Sequence, residues 1–251
     1  MDVSVQHNPM KQKVFFLTAL VLIAASTAQS QSVVITGKKV TYTRPKPISE
    51  YKKTFTINYP KVKAATPALS RKIEAAISYR SILGLNLQEE LTTVQWLEEA
   101  DYEVLYNDNG LLCIDLTMSG SAAYPDGVTK TAVVDIKKGT LVKTSDVFTD
   151  LQELASLVRK AQKKEIEDAV VEIKKNPEFK DEDPADLFKE ADFRRKELEG
   201  YSVNDKGVTF KYDYGFPHVI EALQPEGKYF FTWEQLRPFL VPGGLLAKLA
   251  H

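Results

Sequence analysis

The sequence predicts an α+β fold in which antiparallel sheets are packed by amphipathic helices in a single compact unit. Three observations predict it. Apolar and polar residues alternate in short runs separated by strong turn formers, apolar residues spaced three and four apart mark helices between those runs, and a densely charged segment carries one long apolar stripe. A core is affordable, since 43% of the 251 residues are hydrophobic. It is also necessary, because Cys113 is the only cysteine and no intramolecular disulfide can form.

Residues 1–30 read as an export signal. Lys11 and Lys13 precede the uncharged stretch from Val14 to Ala25, which gives way to small and polar residues, so cleavage is expected after Ala28 or Ser30. Those 12 residues fall short of the roughly 20 that span a bilayer. No cysteine near the cleavage region offers a lipid attachment point, and Met10 is an alternative start. The mature chain is therefore expected to be periplasmic or secreted, with no membrane span. Losing Lys11, Lys13 and Asp2 from 33 basic and 34 acidic residues leaves a net charge of -2, which gives no electrostatic footprint for nucleic acid.

Residues 31–50 predict an edge strand and, through Arg44-Pro45-Lys46-Pro47, an extended linker. Residues 51–148 form an N-terminal α+β half. Phe55, Ile57 and Tyr59 share one face of a strand that Pro60 should stop. Thr66-Pro67 then caps a helix running to Gly84, with Leu69, Ile73, Ala76, Ile77, Arg80 and Leu83 inward. A meander follows over residues 101–136, turning at Asn107 to Gly110 and at Tyr124 to Gly127. In its middle strand Leu112, Ile114, Leu116 and Met118 point to the core and Cys113, Asp115 and Thr117 away from it.

Residues 149–245 form the C-terminal half, with a charged helical insert over 150–200. That insert holds 15 acidic and 11 basic residues over a stripe from Leu151 to Ile173, which predicts one long helix broken at Asn176-Pro177. A second helix is expected from Pro184 to Lys196, with Leu187, Phe188 and Phe193 inward. Val208, Phe210, Tyr212 and Tyr214 alternate as a strand, and Tyr229 to Phe231 form a last strand leading into a helix over 232–240.

Two phrases carry a resemblance. Asp135, Gly139, Leu141, Asp146 and Phe148 spell a strand end, a glycine turn and an aspartate that caps the step delivering a phenylalanine to the core. Phe210, Tyr212, Tyr214, Pro217, Glu221 and the 229–240 stretch spell an aromatic strand, a bend, and a strand running into a helix. Together they resemble an extracytoplasmic domain family of unknown function, found at the C-terminus of the anti-sigma factor RsiV and in the N-terminal part of the polysaccharide deacetylase PdaC.

The resemblance is moderate over residues 50–148 and closer over 120–148 and 208–240. It implies a non-enzymatic binding domain of the bacterial cell envelope, whose partner is an extracellular or periplasmic protein or glycan, for instance a lysozyme-like hydrolase. It carries over no catalytic residue. Where the family has Gly-Gly-Ala-His-Pro this chain reads Gly120-Ser-Ala-Ala-Tyr124-Pro125, so Tyr124 replaces a histidine. Only 13 residues precede the apolar stretch, so a complete anti-sigma regulator is not expected, nor is the separate deacetylase domain of PdaC.

Other chemistry is thin. With the leader removed only His218 and His251 remain, so no histidine metal cluster is expected and no cofactor is implied. His218 and Glu221 could stand one turn apart, but the preceding Pro217 and the lack of further ligands favour packing or solvent exposure over a metal role. Cys113 and His218 make a nucleophile and base only if the fold joins them. The run Asp181 to Asp186 lacks the alternating ligands and central glycine of a calcium loop and reads as a solvated helix start. The rival reading is an envelope carbohydrate-active hydrolase using sheet carboxylates drawn from Glu89, Glu90, Glu98, Glu99 and Asp101. For binding, the candidates are Tyr124, Tyr212, Tyr214, Phe216, His218 and Glu221, with Trp233 as a further exposed aromatic to weigh. Exposed aromatics stack on sugars or fill a partner's cleft, whereas Phe210, Tyr212 and Tyr214 also suit a single core face.

Overall fold

The computed structural model describes Met1 and residues 32–121, 125–177 and 183–250. The expected leader, Tyr124, and the acidic run up to Glu182 lie outside the described residues. The predicted α+β architecture is present. Strands β1 (Val34–Thr43), β2 (Thr54–Lys63), β3 (Leu97–Asp108), β4 (Leu111–Ser121), β5 (Pro125–Asp135) and β6 (Thr140–Leu141) form one sheet in that spatial order. Strands β7 (Tyr201–Val203), β8 (Gly207–Lys211) and β9 (Lys228–Thr232) form a second sheet, antiparallel throughout.

One pair departs from the antiparallel rule. β2 and β3 run parallel across Thr56↔Glu99 and Ile57↔Ala100. Helices α1 (Pro67–Ala76), α2 (Tyr79–Leu83) and α3 (Leu87–Thr92) occupy the connection, and a crossover of that kind delivers its second strand parallel to the first. Pro60 does not stop β2, which continues to Lys63. Beyond Ile57 only β1 pairs with it, and one-sided pairing tolerates a residue without an N–H.

The helix predicted over 67–84 is two helices. Ser78 breaks it, because its Oγ accepts the N–H of Ser81 and caps α2. The break turns Arg80 to solvent rather than inward. Thr66 caps α1 with Pro67 at the first position, as its sequence requires.

The meander forms, but Pro125, Asp126 and Gly127, expected in a turn, already pair as the start of β5 with Ser121, Gly120 and Ser119, and β4 is buried on both faces. Leu112, Ile114, Leu116 and Met118 pack with Phe55, Ile57, Ile73, Ile77 and Tyr79 beneath the helices. On the opposite face Leu111 and Cys113 join a second core with Phe148, Leu154, Val158, Phe193, Phe210 and Phe231. The reading that Cys113 faces away from the core therefore fails, because the second sheet covers that face. Farther along, the face turns polar: Asp115 meets Lys211 of β8, and the Thr117 and Thr129 hydroxyls bond at 2.8 Å.

A buried arginine ties the linker to the first core. Arg44 donates through Nε to the Glu90 carbonyl at 3.0 Å and through Nη2 to the Leu97 carbonyl at 2.7 Å, with Phe55 under its guanidinium. Burial pulls this group's pKa down and Glu90 opposes the pull. Glu90 in turn accepts the N–H of Leu97, so α3, the linker and the start of β3 are locked together.

The phrase around Asp135 does what its residues suggest. Asp135 accepts the N–H groups of Lys137 and Lys138, closing the turn into β6. Gly139 sits at φ +68°, and a Cβ there would lie 2.8 Å from that of Lys72. Asp146 accepts the N–H of Lys143 at the start of α4 (Thr144–Val147), and Phe148 then enters the second core against Tyr201 and Phe210. An isolated antiparallel bridge to Leu240 holds Phe148 from the other side.

Helix α5 (Leu151–Lys175) ends at Asn176, where predicted. The helix expected over 184–196 is replaced by two 3₁₀ turns, Pro184–Phe188 and Arg195–Glu199. Between them the chain is drawn onto α5, since the N–H of Phe193 donates to the buried Gln162 side chain at 2.7 Å. The terminal helix is also short: α6 (Trp233–Leu236) gives way to a 3₁₀ turn at Arg237–Phe239, where Pro238 offers no N–H.

Candidate functional site

The expected strand over 208–214 ends at Lys211, and the chain bends away until Gly227. Glu165 of α5 fixes that bend. Its Oε2 accepts the hydroxyls of Tyr214 at 2.8 Å and Tyr229 at 2.7 Å, while its Oε1 accepts the N–H of Gly227 at 3.1 Å. Burial above all, and then the hydrogen bonds and charge around Glu165, push the Tyr229 phenol well above its ordinary range; burial raises Tyr214 likewise. Both remain neutral donors to the carboxylate.

The aromatic residues of the bend divide into two groups. Tyr212 packs on Phe193 and Tyr214, and its hydroxyl accepts the N–H of Asp192. Tyr214 meets Phe188 edge-on at 5.6 Å. These two rings hold the bend onto α5 and the 3₁₀ turn at 184–188. Trp233 is buried, its indole N–H donating to the Asp205 carbonyl. Phe216 packs one side on Phe188, at 5.3 Å, and turns toward a groove.

The groove encloses about 560 Å³ between this bend and the start of β5. Phe216, His218, Glu221 and Gln224 line it from the bend, with Trp96, just before β3, and Pro125 and Asp126 of β5. Of the six candidate binding residues, three therefore share one surface. Tyr124 lies outside the described residues, although the adjacent Pro125 is part of the lining.

Local chemistry shapes each wall. Asp213 accepts the N–H of Gly215 and closes its turn, whereas Asp126, on β5, accepts the N–H of the next residue, Gly127. His218 Nδ1 and Glu221 Oε2 stand 2.8 Å apart, one turn apart as the spacing suggests. Gln224 accepts the N–H of Phe216 and draws the loop shut. The 3₁₀ turn His218–Leu223 leaves Val219, the neighbour of His218, 84% exposed. Trp96 reaches the groove because Gly120 has no side chain: a Cβ there would lie 2.1 Å from the Trp96 carbonyl oxygen.

The remaining candidates are held elsewhere. Glu90 faces Arg44, Glu98 bonds Lys52, Glu99 bonds Lys39 at 3.2 Å, and Asp101 accepts from Asn58 at 2.9 Å. Each of these four carboxylates is engaged with its own neighbour, and Glu89 is exposed on α3. Cys113 is sealed in the core, where burial pushes its thiol up to about 12, while His218 is at the surface. The fold does not make them a nucleophile and base. Among the described residues no group of three metal-ligating side chains gathers, and no helix is long and apolar enough to cross a membrane.

Neither a protein-family model nor a curated protein matches the chain. Solved structures do. A member of the DUF3298 family from Bacteroides fragilis NCTC 9343 aligns with 86% of this chain and 98% of its own, at 15% identity and a TM-score of 0.52. The chain shares that fold. A DUF3298 family protein from Pseudomonas aeruginosa PAO1 aligns with 84% of this chain and 95% of its own, at 16% identity and a TM-score of 0.49. At these identities the likeness to the DUF3298 structure speaks for architecture and leaves the chemistry to the groove.

Trp96, Asp126, Asp213 and Gln224 complete the site without any signal in the periodicity. Pro125-Asp126-Gly127 reads as a turn in the sequence but is the start of β5, and only its place opposite the bend makes it part of a groove.

Proposed function

We propose that the chain is an exported, non-catalytic binding domain of the bacterial cell envelope, related to the extracytoplasmic domains of RsiV and PdaC, and that the groove at the 212–227 bend receives its partner. The observation that carries this is that Trp96 and Phe216 share the groove with Asp126 and Asp213, carboxylates each already bonded to a nearby backbone N–H. Groups so engaged suit recognition better than proton transfer. The charge of the lining favours a protein partner: Asp126, Asp213 and Glu221 line the groove, and Val219, next in the chain to His218, is exposed, a combination that complements a basic surface such as that of a lysozyme-like hydrolase.

Calorimetry of the purified mature protein with a basic lysozyme, and separately with soluble peptidoglycan fragments, tests the reading. Val219→Ser and His218→Ala, both at exposed positions, should weaken the lysozyme complex by about 1 to 2 kcal/mol each without lowering the melting temperature. Unchanged affinity in both variants rejects the groove. Binding of the glycan in place of the lysozyme assigns the groove to the cell wall. Peptidoglycan turnover abolished by Asp126→Asn or Asp213→Asn turns the reading to a hydrolase. Export is tested by the intact mass of the native protein, which should begin at Gln29 or Gln31; a full-length cytosolic chain rejects it.

A further inference from the structure

The helical side of the large sheet carries a second recess. Two hollows, of about 590 and 260 Å³, adjoin at Tyr59, Ser78 and Tyr79, which line both, and make a groove along α1, α2 and the approach to α3. The larger alone falls within the 300 to 1,000 Å³ or so usual for small-ligand sites.

Its aromatic face is that of the half-buried Tyr59, held in advance and backed by Tyr79, which is only 2% exposed. The Tyr59 and Tyr42 hydroxyls bond at 2.9 Å, the Tyr79 hydroxyl donates to the Asn58 carbonyl at 2.9 Å, and the Tyr59 and Tyr79 rings meet edge-on at 6.2 Å. Rings already held this way lose little freedom when a ligand arrives.

The charge on the groove is unbalanced. Glu74 is the only carboxylate in the lining, and it is engaged by Lys61 at 3.1 Å and by the N–H of Val62 at 2.9 Å. Arg71 and Arg80 line the groove, both exposed, and among the described residues neither forms an ion pair. Amide donors stand beside them. The Asn86 side-chain oxygen accepts the N–H groups of Gln88 and Glu89, which leaves its NH₂ to donate, and the Gln88 side chain lines the same hollow.

A preset aromatic face flanked by guanidinium and amide donors complements a sugar ring that carries a carboxylate: the ring stacks, the hydroxyls meet the amides, and the carboxylate takes a charge-assisted bond. We infer that this groove binds a carboxylated saccharide, at a site sharing no lining residue with the groove at the bend. The inference goes beyond the proposed function and does not depend on it.

The test is an amide-shift titration of the isotope-labelled protein with three probes: N-acetylmuramic acid, N-acetylglucosamine, which lacks the lactyl carboxylate, and inorganic phosphate. Saturable shifts over residues 78–88 are expected with N-acetylmuramic acid, and binding at least about tenfold weaker with N-acetylglucosamine, the size of one lost charge-assisted contact. Arg80→Gln should weaken N-acetylmuramic acid about tenfold at unchanged melting temperature, because the side chain is exposed. No saturable shift, equal binding of the two sugars, the same response to phosphate alone, or undiminished affinity in both Arg71→Gln and Arg80→Gln overturns the inference. Val219→Ser should leave this titration unchanged, so failure at one groove is distinguishable from failure at the other.

Discussion

Lys211 of β8 and Asp115 of β4 join the two sheets, with Nζ and Oδ2 2.9 Å apart and the Thr131 hydroxyl 2.7 Å from the same nitrogen. The pair is only partly open to water, at 29% and 17% exposure, so it falls between a weak surface contact and a costly buried one. Lys211→Met should destabilise the protein by about 1 to 2 kcal/mol in urea melts. In a double-mutant cycle with Asp115→Asn the coupling should be about 1 kcal/mol, and additive losses would mean that the two side chains do not support each other.

Phe148 lies in the second core between Tyr201 and Phe210, whereas Lys138 is 75% exposed and meets only Asp135. Phe148→Ala should therefore cost about 3 to 5 kcal/mol, and Lys138→Ala less than about 1. Denaturant midpoints of the two variants decide the matter. Equal, small losses would displace Phe148 from the core.

Gly139→Ala should cost about 1 to 3 kcal/mol, because the substitution combines a left-handed backbone with a Cβ pressed against Lys72 and Leu69. Thermal melts measure it. A neutral outcome would require α1 to move away from the β5 to β6 turn.

Cys113 provides a test in alkali. Its thiol is raised by burial from 9.0 to about 12, so the folded state keeps a proton that the unfolded state releases first. Stability from this group is intact below about pH 9 and declines as the pH rises toward 12. Buried Tyr201, raised in the same direction, adds to the decline. Ellman's reagent at pH 8 should leave the native thiol unmodified and titrate one thiol after denaturation. Rapid labelling of the native protein would contradict the burial.

The features legible in the sequence are those that local chemistry decides. Asn109 and Gly110 turn β3 into β4, Thr66 and Pro67 start α1, and Asp135, Asp146 and Phe148 hold the positions their phrase implies. Misreadings occur where distant contacts prevail. Apolar spacing continues across Ser78, so only its cap reveals the break. Phe188 and Phe193 suit a helix, yet ring contacts and Gln162 pull them into turns. No local signal selects β3 as the parallel neighbour of β2. The same division applies to the groove: Phe216, His218 and Glu221 could be chosen from the chemistry of the bend, whereas Trp96 joins them only through its contact with Gly120.

β4 forms a wall common to both cores, with Leu112, Ile114 and Leu116 on one side and Leu111 and Cys113 on the other. Neither core can open and leave that strand in place. The two layers should therefore lose structure as one cooperative event, and the amides of residues 111–116 should exchange with solvent only through global unfolding, slower than those of the lone-edged β1 or the bend at 212–227.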